Sequence, residues 1–220
     1  MTQLIKPGLP VLYCGTCHAF DMSTTQMIFG GPEQALFGVA MTQVGRSYGL
    51  PVSVNVGLTD SKRIDAQAGL EVGITRALAA AAGAEGFGLL GICGVDQAAS
   101  LEMLVFQHEA IGYIESVMRD LDFSDEALGF DLLGRLGPGG QFLDQEHTAR
   151  RVRRELWMPR LLDRQYYQAW LDAGAESTEA RCRRRREEIR RAPPAEPLSP
   201  DVEQALSGIV AAARRELTVQ

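Results

Sequence analysis

The chain has 220 residues and a mass of 24.0 kDa; 45% of its residues are hydrophobic and its formal net charge is -6. That suffices for one sizeable core or two small ones, and the acidity argues against a nucleic-acid binder. The longest apolar-rich stretch, ALAAAAGAEGFGLLGICG (77–94), is interrupted by glycines and Glu85, so no membrane span is expected; MTQLIKPGLP has neither region of a signal peptide, and the chain reads as cytoplasmic.

The first residues, TQLIKPG, read as the last turn of a helix stopped by Pro7 and Gly8. PVLYCG (10–15) reads as a buried strand, and it runs into CGTCH (14–18). As a pattern, C-x-x-C-H is the attachment site of a c-type haem. Covalent haem attachment belongs outside the cytoplasm, and the motif here bridges a strand end and a loop, so no haem is expected. Zinc fares no better, because adjacent Cys17 and His18 point in different directions and no second Cys/His pair completes a tetrahedral set. The expectation is a buried Cys14 followed by two loop residues, with all four cysteines reduced and no metal.

A loop over 16–31 leads into GGPEQALFGVAMTQVGRSYGL, a helix with Pro32 in its first turn and Gly49 at its stop. PVSVNVG (51–57) is the second strand, and DAQAGLEVGITRALAAAAG (65–83) is its helix, with Asp65 as N-cap and Gly83 as stop. EGFGLLGICG (85–94) is the third strand, followed by a helix over 98–119. The strands are apolar along their length, as expected when both faces are covered, and the β-loop-α alternation predicts a parallel α/β sheet. The loops that follow the strands are longer and more polar than the returns, which is the inequality seen when ligands bind at the carboxyl ends of strands.

Past residue 120 the pattern becomes helical. DFSDEALGFDLLGRLG reads as one helix capped by Ser124; GPGGQF (137–142) is a tight turn; helices follow at 145–155, 163–173 and 176–191, and a last one starts at Asp201 after APPAEPLSP. Residues 1–144 carry a charge of -9 and residues 145–220 carry +3. The basic run RCRRRREEIRR (181–191) has no interleaved aromatic residues and helical spacing, so it reads as a solvated helix and not a nucleic-acid patch. The expected division is a partial barrel over 1–122 and a helical extension over 123–220. Three βα units neither close a barrel nor protect the two edges of an open sheet, so the chain is expected to need a further barrel half or to self-associate.

Three segments carry a resemblance: FDMSTTQMIFGGPEQAL, YGLPVSVNVGLTDSKRIDAQAG and GPGGQFLDQEHTARRVRRELWMPRLLDRQYYQAW. Together they resemble the C-terminal half of the trimethylamine methyltransferase family over residues 5–215, with D-S-K-x-x-D-A-Q-A-G, G-P-G-G-x-F-L and MPRLLDR the most specific pieces. The resemblance implies a (β/α)8 TIM barrel, here only in part, whose first half is absent from the sequence. It also implies a reaction, in which a methyl group moves from a tertiary or quaternary amine to the Co(I) of a corrinoid carried by a separate protein docked over the barrel mouth. No pyrrolysine is written in this sequence, which favours the members that act on betaines.

Such chemistry needs the methyl carbon held in line with its acceptor, and a cationic substrate wants aromatic faces or carboxylates nearby. At the strand ends and following loops the chain offers Asp60, Lys62 and Asp96 as catalytic candidates. Tyr13, Phe20, Asp21, Asn55 and His147 are the candidates for binding substrate, and Lys62 could also grip a betaine carboxylate. Each has a structural competitor: Asp60 and Asp65 as helix caps, Tyr13 as core, Lys62 as a solvated side chain, His147 as a cap. Glu71, Glu102 and His108 lie inside helices and read as structural. Where the family usually has GG-x-P-A-A-F-D-M, this chain has CGTCHAFDM, a departure at the rim of the expected site. The alternative to an enzyme is a non-catalytic truncated paralogue that acts as a binding or assembly module.

Overall fold

A computed structural model describes residues 2–193 and 196–217 of the chain. It divides into two compact units, one up to residue 185 and one from 186 on. The first unit is built on a parallel sheet of three short strands, β1 (Tyr13–Gly15), β4 (Val52–Val54) and β5 (Gly86–Phe87), in that spatial order. Tyr13, Cys14 and Gly15 pair with Val52, Ser53 and Val54, and Ser53 and Val54 pair in turn with Gly86 and Phe87. Parallel neighbours need helical crossovers. These are α2 (Pro32–Ser47), with Pro32 in its first turn, and α3 (Ala66–Ala82), where Asp65 accepts the Ala68 amide and Gly83 ends the helix.

Both crossover helices pack side by side on one face of the sheet. Val52, Val54, Val56 and Ala79 form the buried centre there, with Tyr13, Met41 and Phe87 around it. The approach is close enough that a Cβ on Gly45 of α2 would lie 2.6 Å from a Val52 methyl, so that position tolerates only glycine. Alternation sends Cys14 and Ser53 to the other face, where Cys14 is exposed and Ser53 half-buried. The expectation of a buried Cys14 and of strands covered on both faces is therefore corrected: helices cover one side, and continuous apolar character reflected three valines on that side.

Two further expectations change. The 16–31 loop contains an antiparallel hairpin, β2 (Ala19–Asp21) and β3 (Gln26–Ile28), with Phe20 opposite Met27. The third strand breaks after Phe87: Leu89 and Gly91 take positive φ, and β6 (Ile92–Cys93) turns back to pair with β7 (Ala98–Ala99). Glycine at 86, 88, 91 and 94 removes the side chains that would hold a longer strand.

Helix α4 (Leu101–Met118), capped by Ser100, brings a buried polar knot against α3. Gln107 donates to the Gly57 carbonyl at 3.0 Å and accepts the Gly91 amide at 2.6 Å, while the Gln107 carbonyl accepts from Arg76 at 3.2 Å. Arg76 is fully buried, and desolvation lowers its guanidinium to about 10. It lies where a side chain on Gly57 would be, at φ +81°. Two residues further along α4, Glu109 accepts the amides of Arg160 (2.7 Å) and Leu161 (2.9 Å), and Asp163 pairs with Arg181 at 2.6 Å. The MPRLLDR stretch is thus a clamp between α4 and α9 (Thr178–Arg191), with Val105, Leu161 and Cys182 buried between them.

The predicted helix from Ser124 is two, α5 (Asp125–Leu128) and α6 (Phe130–Leu136), because Gly129 at φ +67° interrupts the hydrogen-bond ladder. Helices α7 (Glu146–Glu155), α8 (Tyr167–Asp172) and α10 (Pro200–Leu217) complete the chain, together with the short α1 (Thr2–Ile5) at its start. Helix α10, in the second unit, exposes Val202, Leu206, Ile209, Val210 and Leu217. Among the described residues no helix is long and apolar enough to cross a membrane.

Replacing Glu109 by Ala removes a charged acceptor from two amides and should lower stability by about 2–3 kcal/mol in urea denaturation. The exposure pattern predicts that a thiol reagent titrates Cys14 and Cys17 quickly in the native chain. Cys93 and Cys182 should react only on unfolding, since burial raises both thiols, Cys182 to about 11. A single fast thiol would mean that the sheet face carrying Cys14 is covered.

Candidate functional site

The carboxyl ends of β1 and β4 meet in a cluster assembled from four segments. Asn55, just past β4, is 9% exposed, and its side-chain amide lies 3.3 Å from Nε2 of His18, which follows β1. The His18 ring packs on Phe29 with centroids 4.3 Å apart. From α2 the buried Gln34 donates to the Asn55 main-chain carbonyl. The register of the sheet explains the meeting, since Gly15 pairs with Val54 and the Asn55 amide continues the ladder to the Gly15 carbonyl at 3.1 Å.

The loop after β4 forms the second wall, and a carboxylate within α3 shapes it. Glu71 accepts from the Thr59 hydroxyl (2.5 Å), the Asp60 amide (2.8 Å) and the Gln67 side chain (2.7 Å). Held this way, the Asp60 carboxylate accepts the Phe29 amide at 3.1 Å and the Gly30 amide at 3.3 Å. Asp60 therefore caps no helix; it ties the base of the β2–β3 hairpin to the β4 loop. Asp65 is the residue that caps α3, and its carboxyl is held below the usual range chiefly by the Ala68 amide and the Ser61 hydroxyl. The loop is anchored further by Arg63 on Glu179 at 2.7 Å.

The other sequence candidates divide by position. Lys62 is exposed and donates to the Asp60 carbonyl at 2.8 Å. Asp96 is exposed in the β6–β7 turn at φ +60°, and the Gly94 amide joins that turn to the Ser61 carbonyl at 3.0 Å. Asp21 is engaged within its own turn, where bonds from the Ser23 and Thr24 hydroxyls and the Ser23 amide hold its carboxyl at about 2. Phe20 is exposed on the hairpin beside it. Tyr13 faces the helix layer, its hydroxyl 3.9 Å from the Met41 sulfur, so it is core. His147 sits in the first turn of α7 against the Glu126 carbonyl at 2.7 Å, with Gly129 beside its ring, and is no part of the cluster.

Sequence reasoning missed His18, Phe29 and Gln34, whereas Glu71, read as structural, does hold the β4 loop. An imidazole three residues past the end of β1 is itself a signal for His18. Three buried atoms in the cluster, His18 Nδ1, Asn55 Oδ1 and Gln34 Oε1, have no hydrogen-bond partner. The arrangement offers amide oxygens, one ring nitrogen and an aromatic face, which suits holding and desolvating a small polar molecule more than acid–base chemistry.

Residues 1–218 match the model of the trimethylamine methyltransferase family. The chain is 36% identical to a glycine betaine methyltransferase of Desulfitobacterium hafniense, over 99% of its own length and 45% of that protein's. It is 34% identical to a proline betaine:corrinoid methyltransferase of Eubacterium limosum, over 75% of the chain and 34% of the relative. A trimethylamine methyltransferase of Methanosarcina thermophila is 31% identical over 82% of the chain and 37% of its own length. The chain thus spans less than half the length of these curated relatives.

Glu71→Gln weakens a charged acceptor shared by Thr59 and Asp60. It should cost about 1.5–3 kcal/mol and speed amide exchange at Phe29 and Gly30, as read by denaturation and hydrogen-exchange NMR. Unchanged exchange at both amides would remove Glu71 from the support of the hairpin.

Proposed function

The chain belongs to the trimethylamine methyltransferase family, and we propose that it acts in methyl transfer from betaine-like quaternary amines to a corrinoid held by a separate protein. The single observation behind this reading is the match along residues 1–218, with named betaine methyltransferases among the relatives. On this reading the β1–α2, β4–α3 and β5–α4 units are consecutive parts of a (β/α)8 barrel in residues 1–122, and 123–220 form a helical extension. Another stretch of polypeptide, or a second copy, would complete the barrel by pairing with the edge strands β1 and β5. The cytoplasm is the compartment that fits reduced cysteines.

In the transfer the C–N bond breaks, its electron pair stays on nitrogen, and the methyl carbon passes to the reduced cobalt, which acts as methyl acceptor. The departing amine is neutral, so no proton need be delivered to it. The chain's task is to orient the cation and strip its water, which raises the rate by fixing the line of attack. Asn55 and the Phe20 ring would lie along the bound amine. Asp60, Lys62 and Asp96 would shape the rim, with Asp60 acting through the hairpin it fixes. The exposed Phe20, Met22 and Met27 of the hairpin give an apolar edge suited to an acceptor arriving from outside.

The test supplies the naturally produced chain with a Co(I) corrinoid protein and either glycine betaine or trimethylamine, and follows the corrinoid spectrum and dimethylglycine by NMR. Betaine demethylation at least tenfold faster than trimethylamine demethylation is expected, lowered about a hundredfold by Asp60→Ala. Transfer from trimethylamine alone, or a rate indifferent to Asp60, would contradict the reading.

A further inference from the structure

Three unpartnered polar atoms lie within one small cluster: His18 Nδ1, Asn55 Oδ1 and Gln34 Oε1. Asn55 and Gln34 are 9% and 2% exposed, and each such atom left unmet costs about 1–3 kcal/mol. Their polarity can be assigned. The Asn55 amide nitrogen faces His18 Nε2, so Nε2 is the acceptor and the neutral ring carries its hydrogen on Nδ1. The cluster therefore presents one donor and two acceptors. The nearby carboxylates do not answer the donor, since Asp60 is engaged by Phe29 and Gly30, and Glu71 by Thr59, Asp60 and Gln67.

We propose that His18 is a specificity-determining residue that donates from Nδ1 to the carboxylate of a zwitterionic substrate, whose ammonium methyls rest against the amide oxygen of Asn55. This rests on the reading of the chain as an amine methyltransferase and names the part of the substrate that the strand-end site recognises. A carboxylate oxygen meets the orphaned N–H. N-methyl groups beside a quaternary nitrogen are polarised and meet amide oxygens through C–H···O contacts. Phe29, packed on His18, presents an apolar ring to the same place. A simple methylammonium or a quaternary amino alcohol fills only the second half of that set, so the donor at residue 18 separates betaines from simple methylamines. Both His18 Nδ1 and Asn55 Oδ1 are closed off from solvent.

The experiment follows the 15N resonances of the His18 ring in the naturally produced chain during titration with glycine betaine, choline and acetate, together with calorimetry. Choline keeps the cation without the carboxylate, and acetate the reverse. Betaine should shift Nδ1 and bind at least tenfold more tightly than choline. His18→Ala should abolish that preference for betaine over choline, and His18→Asn, which keeps an N–H near the Nδ1 position, should restore most of it. Thermal unfolding of both variants separates lost recognition from lost fold. Betaine binding that is equal in the wild type and His18→Ala, or an Nδ1 resonance that responds to no ligand because water alone meets it, overturns the role of His18 and leaves methyl transfer standing. Failure of every quaternary amine both to bind and to be demethylated would instead sink the functional reading, and this inference with it.

Discussion

Two crossover helices on the same face of a three-stranded parallel sheet are the constraint on which the rest depends. Parallel neighbours cannot be joined by tight turns, so α2 and α3 must each run back along the sheet, and here they lie together over Val52, Val54 and Val56. That leaves the face of Cys14 and Ser53 exposed to varying degrees, and it collects the loops that follow the strands at one end. The glycine-poor centre of β4 and the glycine at position 45 of α2 are two halves of one packing solution. The helix can approach the valines closely only because it lacks a side chain at that point.

The loops at the strand ends are held by buried or half-buried polar side chains more than by apolar contact. Glu71 reaches up from α3 to Thr59 and Asp60, and Asp60 passes the restraint to Phe29 and Gly30. Gln107 does the same work one unit later, joining Gly57 to Gly91 beneath the buried Arg76. Such networks fix loop positions because each bond leaves an unmet buried group if it breaks. Arg76 Nε and Nη2 stay unpartnered within that knot, and His18, Asn55 and Gln34 gather three more such atoms at the strand ends, beside the satisfied Glu71 and Asp60.

Much of the scaffold was legible because caps and periodicity are local. Pro32, Asp65, Gly83 and Ser124 marked helix ends where the structure has them, and PVSVNVG contained β4. The errors came where local pattern underdetermined tertiary context. Cys14 read as buried because apolar strands read as covered on both sides, and only the placement of α2 and α3 together decides that one side is open. EGFGLLGICG read as a strand on hydrophobicity, but its glycines allowed the positive φ values that fold it back. Asn55, Asp60, Lys62 and Asp96 could be placed near the carboxyl ends because they follow strands. Tyr13 failed the same test, since alternation turned it toward the helices. Gln34 was invisible, because what makes it important is its contact with Asn55, 21 residues away.

The central claim is that the carboxyl ends of this sheet, with Asn55 and His18 at their centre, hold the quaternary amine. The competing place is the apolar groove between α3 and α4, about 400 Å³, lined by Gly69, Gly73, Phe106 and Tyr113. The most direct measurement is a set of isotope-edited nuclear Overhauser contacts from 13C-methyl glycine betaine to the chain. The account predicts contacts to the Asn55 side-chain amide and the Phe29 ring. Contacts to Phe106 and Tyr113 instead would contradict it.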